Sequence, residues 1–171
     1  MDLFPFERTR PGQKDLMSDI RSVIENKRHL IAHAPTGLGK TISTIVPALE
    51  YGLQNGKTVV FLTPKHTQHQ IVVDMLQKIK NKTNSRIIAV DFIGKRWMCP
   101  VPGIQALSSG DFGEYCKEMK AEERCVFYNN VRKNAKITND AKSLIEELKN
   151  QLPMNVEDIC SICAKREMCP F

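Results

Sequence analysis

Apolar residues recur along the first 90 positions in two rhythms. Leu16, Met17, Ile20, Val23 and Ile24 follow one another at helical spacing after Pro11, a residue suited to a first helical position. The spacing predicts one amphipathic helix ahead of the short apolar run Leu30-Ile31-Ala32. Ile42, Ile45, Val46 and Leu49 predict a second helix that Gly52 to Gly56 ends, with Pro47 unable to donate to the Ser43 carbonyl and expected to bend it. Thr58-Val59-Val60-Phe61-Leu62 reads as a strand covered on both faces. A basic helix over 66–82 follows, with Ile71, Val72, Met75, Leu76 and Ile79 inward, and Ile87-Ile88-Ala89-Val90 reads as a third buried strand. Strand alternating with helix predicts an α/β fold: a parallel sheet with helices on both faces, right-handed crossovers, and a ligand at the carboxyl ends of the strands. The rhythm changes near Gly94. From there to Phe171 no continuous apolar strand occurs, and helices are expected at 113–123 and 140–152, with Leu144, Ile145 and Leu148 on one face. The expected organisation is a first domain over 1–93 and a small, mostly helical one over 94–171.

One segment carries chemistry on its own. Ala34-Pro35-Thr36-Gly37-Leu38-Gly39-Lys40-Thr41 lies between the first apolar run and the second helix. A strand, a glycine turn, Lys-Thr and a helix in that order form a phosphate cradle: backbone N–H groups of the turn point at the anion, and the helix offers it a positive end. Gly37 and Gly39 supply conformational freedom and close approach. Pro35, Thr36 and Leu38 complete the loop, Lys40 is placed to reach the β- and γ-phosphates, and the Thr41 hydroxyl is a ligand for Mg²⁺. Ala34 stands where the general pattern has its first glycine.

Composition bounds this reading without redirecting it. The 171 residues are 42% hydrophobic and 26% charged, enough for one ordinary core or one and a half small domains. No stretch approaches the roughly 20 apolar residues of a membrane span, and the N-terminus lacks a signal-peptide core, so a cytosolic protein with no membrane partner is expected. The net charge of +6 sits mainly on residues 1–92, with 13 Lys+Arg against 8 Asp+Glu, whereas residues 93–171 carry 12 against 11. A mild basic excess on the phosphate-binding half is compatible with a nucleic-acid partner.

The six cysteines, at 99, 116, 125, 160, 163 and 169, all fall in the second half. In a reducing compartment such clustering points to metal or cluster ligation more readily than to disulfides. A module of fewer than 80 residues with few large apolar side chains would gain stability from a metal centre that binds only the folded form.

These pieces resemble the iron–sulfur helicases of the Rad3 and XPD type within superfamily 2, over essentially the whole chain. Phe4-Pro5-Phe6 with Arg10-Pro11-Gly12-Gln13 is similar to the family's adenine-recognition block, which implies nucleotide contacts from Arg10 and a base-reading Gln13. Ala34 to Thr41 resembles helicase motif I, where alanine commonly opens the loop. Val60 to Gln68 is similar to motif Ia, implying contacts of Thr63, Lys65, Thr67 and Gln68 with single-stranded DNA. Lys95-Arg96-Trp97-Met98-Cys99, Arg124-Cys125-Val126-Phe127-Tyr128 and Met168-Cys169-Pro170-Phe171 resemble segments around the family's cluster ligands. The resemblance implies that Cys99, Cys116, Cys125 and Cys169 hold a [4Fe–4S] cluster, with Lys95 and Arg96 contacting phosphates or supporting it. Cys160 and Cys163 depart from the pattern; their Cys-x-x-Cys spacing is itself a good metal loop, so a set using that pair with Cys169 and one upstream thiol stays open, and spacing does not separate zinc from iron.

By resemblance the fold is a RecA-like parallel sheet followed by a cluster domain. The activity is ATP-dependent, 5′ to 3′ translocation on single-stranded DNA with unwinding of forked duplex, in DNA repair. The protein acts as a monomer, cytoplasmic in a prokaryote or nuclear in a eukaryote. Nowhere does Asp precede Glu, so there is no Asp-Glu-x-His box, and no second RecA-like domain follows. The chain is therefore expected to be the front piece of a helicase that binds nucleotide but hardly hydrolyses it. Two other classes stand beside this one: a self-contained phosphate-loop NTPase with a zinc tail, using Asp91 after the third strand for Mg²⁺, and a non-enzymatic metal-stapled DNA-binding module.

Overall fold

The computed structural model describes residues 3–171, save the side chains of His66 and Thr67. The chain divides into two compact units, Met1–Ile87 and Ile88–Phe171.

The first unit is built on three helices. Helix α1 (Gln13–Glu25) buries Met17 and Ile20 and starts two residues after Pro11, because Gly12, with φ 72°, is its N-cap. Helix α2 (Lys40–Asn55) buries Ile42, Ile45 and Val46 and packs against α1, a contact tied at its edge by the Arg21–Glu50 ion pair at 3.0 Å. Pro47 is fully buried inside α2, which runs as one helix through it. Ser43, whose carbonyl the proline cannot reach, is itself buried, and its hydroxyl donates to the Gly39 carbonyl at 2.9 Å. Helix α3 (His66–Thr83) presents Val73, Leu76 and Ile79 to the interior, so Val73 takes the buried place expected for Ile71, which is 48% exposed.

The parallel sheet expected from the apolar runs is not formed among the described residues. Residues 30–32, 58–62 and 87–90 have no strand assignment. Ile31 is fully exposed, Leu62 87% and Val60 73% exposed. A run apolar on both faces is stable as a strand only when neighbours on its edges and layers on its faces complete it. Helices close their own hydrogen bonds and need less of their surroundings.

The second unit is helical: α4 (Lys95–Met98), a 3₁₀ turn (Ile104–Ala106), α5 (Ser109–Ala121), α6 (Val126–Val131), α7 (Asn139–Gln151) and α8 (Val156–Lys165). Between α6 and α7 a minimal antiparallel pair, β1 (Arg132–Lys133) with β2 (Lys136–Ile137), turns through Asn134 and Ala135, both at positive φ as a tight two-residue hairpin requires. Its core is a cluster of Ala141, Leu144, Leu152, Ile159, Cys163 and Met168, gathered from α7, α8 and the segment after α8. No helix among the described residues is long and apolar enough to cross a membrane.

Candidate functional site

The phosphate-binding motif forms the head of α2. Gly37 (φ 90°) and Gly39 (φ 89°) both lie in the left-handed region, where a side chain would be strained. Their roles differ. Nothing stands within 4 Å of the place a Cβ on Gly37 would take, whereas one on Gly39 would lie 2.5 Å from Gln13 Nε2. Gly37 is needed for its conformation; Gly39 is needed for conformation and for space. No side chain caps the start of α2, so the N–H groups of its first turn remain available to an anion. Lys40 Nζ donates to the carbonyls of Ala34 and Pro35, both at 3.2 Å.

The Arg10–Gln13 turn lies directly against this loop. The Arg10 guanidinium donates to the Gly37 carbonyl, and Leu38 Cδ1 would be 3.4 Å from a Cβ on Gly12. Gln13 is 2% exposed, and its Oε1 accepts the Arg10 N–H at 3.0 Å while its own N–H donates to the Arg10 carbonyl at 3.1 Å. An open cavity of about 350 Å³ borders the loop and is lined by Phe6, Arg8, Arg10, Gln13, Gly39, Thr41, Ile42, Ile71 and Met75. Thr41 thus faces the cavity at the mouth of the loop. Arg8 and the α3 residues Ile71 and Met75 carry no motif that would have placed them there; they come from segments distant in sequence.

In the second unit the cysteines separate into two groups. Burial raises the Cys99 thiol, a hydrogen bond to the Val101 backbone lowers it, and Cys169, Cys116 and Cys125 raise it further. Cys169 is likewise raised by burial, lowered by its bond to the Phe171 backbone and raised by Cys125 and Cys116, with Lys95 lowering it. These four thiols therefore lie within electrostatic reach of one another although α4, α5, α6 and the C-terminal segment supply them separately. One backbone bond does much of the gathering: Cys169 N–H donates to the Phe127 carbonyl at 2.9 Å, beside the α6 start at Cys125.

The remaining pair sits on α8 rather than on a loop. Cys163 is in the apolar core, pushed up to about 11 by burial and then by the nearby Cys160 and Cys169. Cys160 is half-buried and raised by burial, Glu157 and Cys169, and its Sγ donates to the Met98 carbonyl at 3.8 Å. A protonated core thiol is a poor ligand, which weighs against the set that uses both members of the pair. Among the described residues no group of three or more His, Cys, Asp or Glu is arranged to hold a single metal ion.

The residues expected to meet nucleic acid are differently placed. Thr63 donates its hydroxyl to Gln68 Oε1 and accepts the Lys65 N–H at 3.4 Å, so this pair shapes the entry to α3. Lys65 is exposed, and the Thr67 side chain lies outside the described residues. The Lys95 ammonium lies 4.9 Å from the centre of the Phe171 ring. Arg96 is turned inward, its guanidinium donating to the Leu107 carbonyl and its Nε buried with no partner among the described residues. Trp97 is half-exposed beneath Arg96, and Tyr128 lies under Lys120. Asp91, the candidate Mg²⁺ residue of the rival NTPase reading, accepts the Val156 N–H at 3.2 Å and so holds the start of α8.

Comparison with known proteins agrees with this geometry. The DEAD/DEAH box helicase family matches residues 10–97, and the DEAD_2 family matches residues 61–171. The "Probable ATP-dependent helicase MJ0942" of Methanocaldococcus jannaschii is 38% identical over 78 residues, 46% of this chain and 12% of that protein. The "ATP-dependent DNA helicase DinG" of Escherichia coli K12 is 31% identical over 94 residues, 53% of this chain and 13% of that protein. The "3'-5' exonuclease DinG" of Bacillus subtilis is 32% identical over 62 residues, 36% of this chain and 7% of that protein. The matched region thus spans 13% or less of the length of these relatives. No solved structure matches.

Proposed function

The chain belongs to the DEAD/DEAH box helicase and DEAD_2 families, and from that membership we propose that it carries the nucleotide-gripping front portion of an ATP-dependent, 5′ to 3′ DNA helicase of the Rad3 and XPD type, acting in DNA repair. The observation that carries this reading is the head of α2: an uncapped helix start, two left-handed glycines, a lysine at the first position and a cavity alongside. Backbone N–H groups there would take the phosphate oxygens, Lys40 would exchange its two carbonyl partners for the β- and γ-phosphates, and Thr41 would hold Mg²⁺. Residues 1–93 would form the start of the first RecA-like domain, its sheet completed by further chain. Hydrolysis would need the Mg²⁺-binding acidic box and the second RecA-like domain, so this chain alone would bind far better than it turns over.

Residues 94–171 would be the cluster domain. The donor set fits a [4Fe–4S] cluster in kind: four half-buried thiols on four segments, each available as a thiolate, with the core thiol Cys163 set apart. Held by Cys99, Cys116, Cys125 and Cys169, the cluster would supply a covalent tie among those segments. Lys65 is the exposed cation best placed to meet single-stranded DNA, while Arg96 serves the fold around Leu107.

Calorimetric titration of the chain with Mg²⁺-ATP tests the reading. Lys40→Ala is expected to lower affinity at least about a hundredfold, since charge-assisted contacts to phosphate are the strongest in the site; unchanged affinity would remove its basis. Anaerobic purification is expected to yield iron and acid-labile sulfide in equal amounts, and colourless, iron-free protein would count against the cluster.

A further inference from the structure

We infer that the Arg10–Gln13 turn is the template on which the phosphate loop is shaped, and that Gln13 positions the loop without reading the base, so triphosphates are gripped with little regard to base identity. This rests on the nucleotide reading above and departs from the base-reading role that the family resemblance implies for Gln13.

Three contacts run in register between the two segments. Arg10 donates to the Gly37 carbonyl, Gly12 leaves Leu38 Cδ1 in van der Waals range, and Gln13 Nε2 occupies the space that only a glycine at 39 leaves open. A side chain that recognises a base edge must present a donor and an acceptor together to the ligand. Gln13 cannot do so as it stands. Its Oε1 is held by the Arg10 N–H at 3.0 Å, its Nε2 is pressed under Gly39, and 2% of the residue is exposed although it borders the cavity. The reciprocal backbone bond from Gln13 N–H to the Arg10 carbonyl, 3.1 Å, makes the turn self-supporting. The other cavity walls are Phe6, Ile71 and Met75, which are apolar, and Arg8, which is cationic. Such surfaces hold an aromatic ring by its face, and the face is common to all bases.

Binding of Mg²⁺-ATP, Mg²⁺-GTP and inorganic tripolyphosphate to the full chain provides the test, together with hydrogen exchange at residues 36–40 in nucleotide-free protein. The parent should bind ATP and GTP within about fivefold of each other. Gln13→Ala should weaken all three ligands by one common factor of about ten, the scale of one lost buried hydrogen bond, and should speed exchange at 36–40 while α7 is unchanged. Arg10→Ala, at an exposed position that does not threaten folding, should speed the same exchange. Loss of ATP binding with GTP and tripolyphosphate unchanged, or loop exchange unaltered in both variants, would overturn the inference. A parent that binds no triphosphate would sink the nucleotide reading instead, and the exchange comparison would still decide whether the turn shapes the loop.

Discussion

The long helices of the two units begin in opposite ways. In the second unit Ser108, Thr138 and Asn155 each accept the N–H three residues on, at 3.2, 3.2 and 2.8 Å, and so fix the starts of α5, α7 and α8 by local chemistry. In the first unit no side chain caps α1, α2 or α3, and α1 and α2 open on left-handed glycines. A capped start is finished; an uncapped one keeps donors for something else. The contrast extends to the cores. The second unit closes an apolar cluster of its own, while the first leaves Ile31, Val60 and Leu62 in solvent. The lesson is that the unit holding the phosphate loop draws its order from non-local partners, and the cysteine unit draws its order from within.

The sharpest way to break that comparison is to hollow the second core. Leu144, 4% exposed, lies in the cluster; Leu144→Ala should cost about 2–5 kcal/mol. The loss should appear as a lowered unfolding midpoint for α7 and α8, with triphosphate binding intact. Parallel loss of binding would show that the units are not energetically separate. A smaller effect concerns pH. The unfolded Cys163 thiol, with its ordinary value of 9.0, loses its proton before the folded one at about 11. Stability from this burial is therefore complete below pH 9 and declines as pH rises from 9 through about 11. Urea midpoints at pH 8 and 10.5 should differ, and Cys163→Ala should flatten the slope only in part, because Cys99, Cys160 and Cys169 are raised in the same sense. The smallest effect should come from Ile31→Thr, at a fully exposed position. Its thermal stability should stay within about 0.5 kcal/mol of the parent, and dye binding to exposed apolar surface should fall. A large destabilisation would mean that the run at 30–32 is packed after all.

What could be read from the sequence follows the same division between local and non-local. The helices expected over 66–82 and 140–152 appear as His66–Thr83 and Asn139–Gln151, because periodicity and caps act within a few residues. Helix α5 starts four residues earlier than expected, at Ser109, because the Ser108 cap was not weighed. Helix α8 was hidden by its cysteines: Cys160 and Cys163 read as a metal loop, although Val156, Ile159 and Cys163 lie on one buried helical face. The loop from Ala34 to Thr41 was legible in full, since its chemistry is contiguous. The cavity walls at Phe6, Arg8, Ile71 and Met75, and the inward turn of Arg96, depend on which segments meet, and no pattern in the chain states that. The sheet belongs to the same class, since parallel pairing joins segments separated by whole helices.

The resting place of Lys40 has a consequence for how a ligand arrives. Its ammonium is already shared by two neutral oxygens, those of Ala34 and Pro35. Uptake of a triphosphate is on that account a substitution rather than an addition: two amide acceptors are surrendered for anionic ones, and the heat evolved measures the difference between the two partnerships. The same pair of oxygens stands ready to reclaim the lysine when product departs.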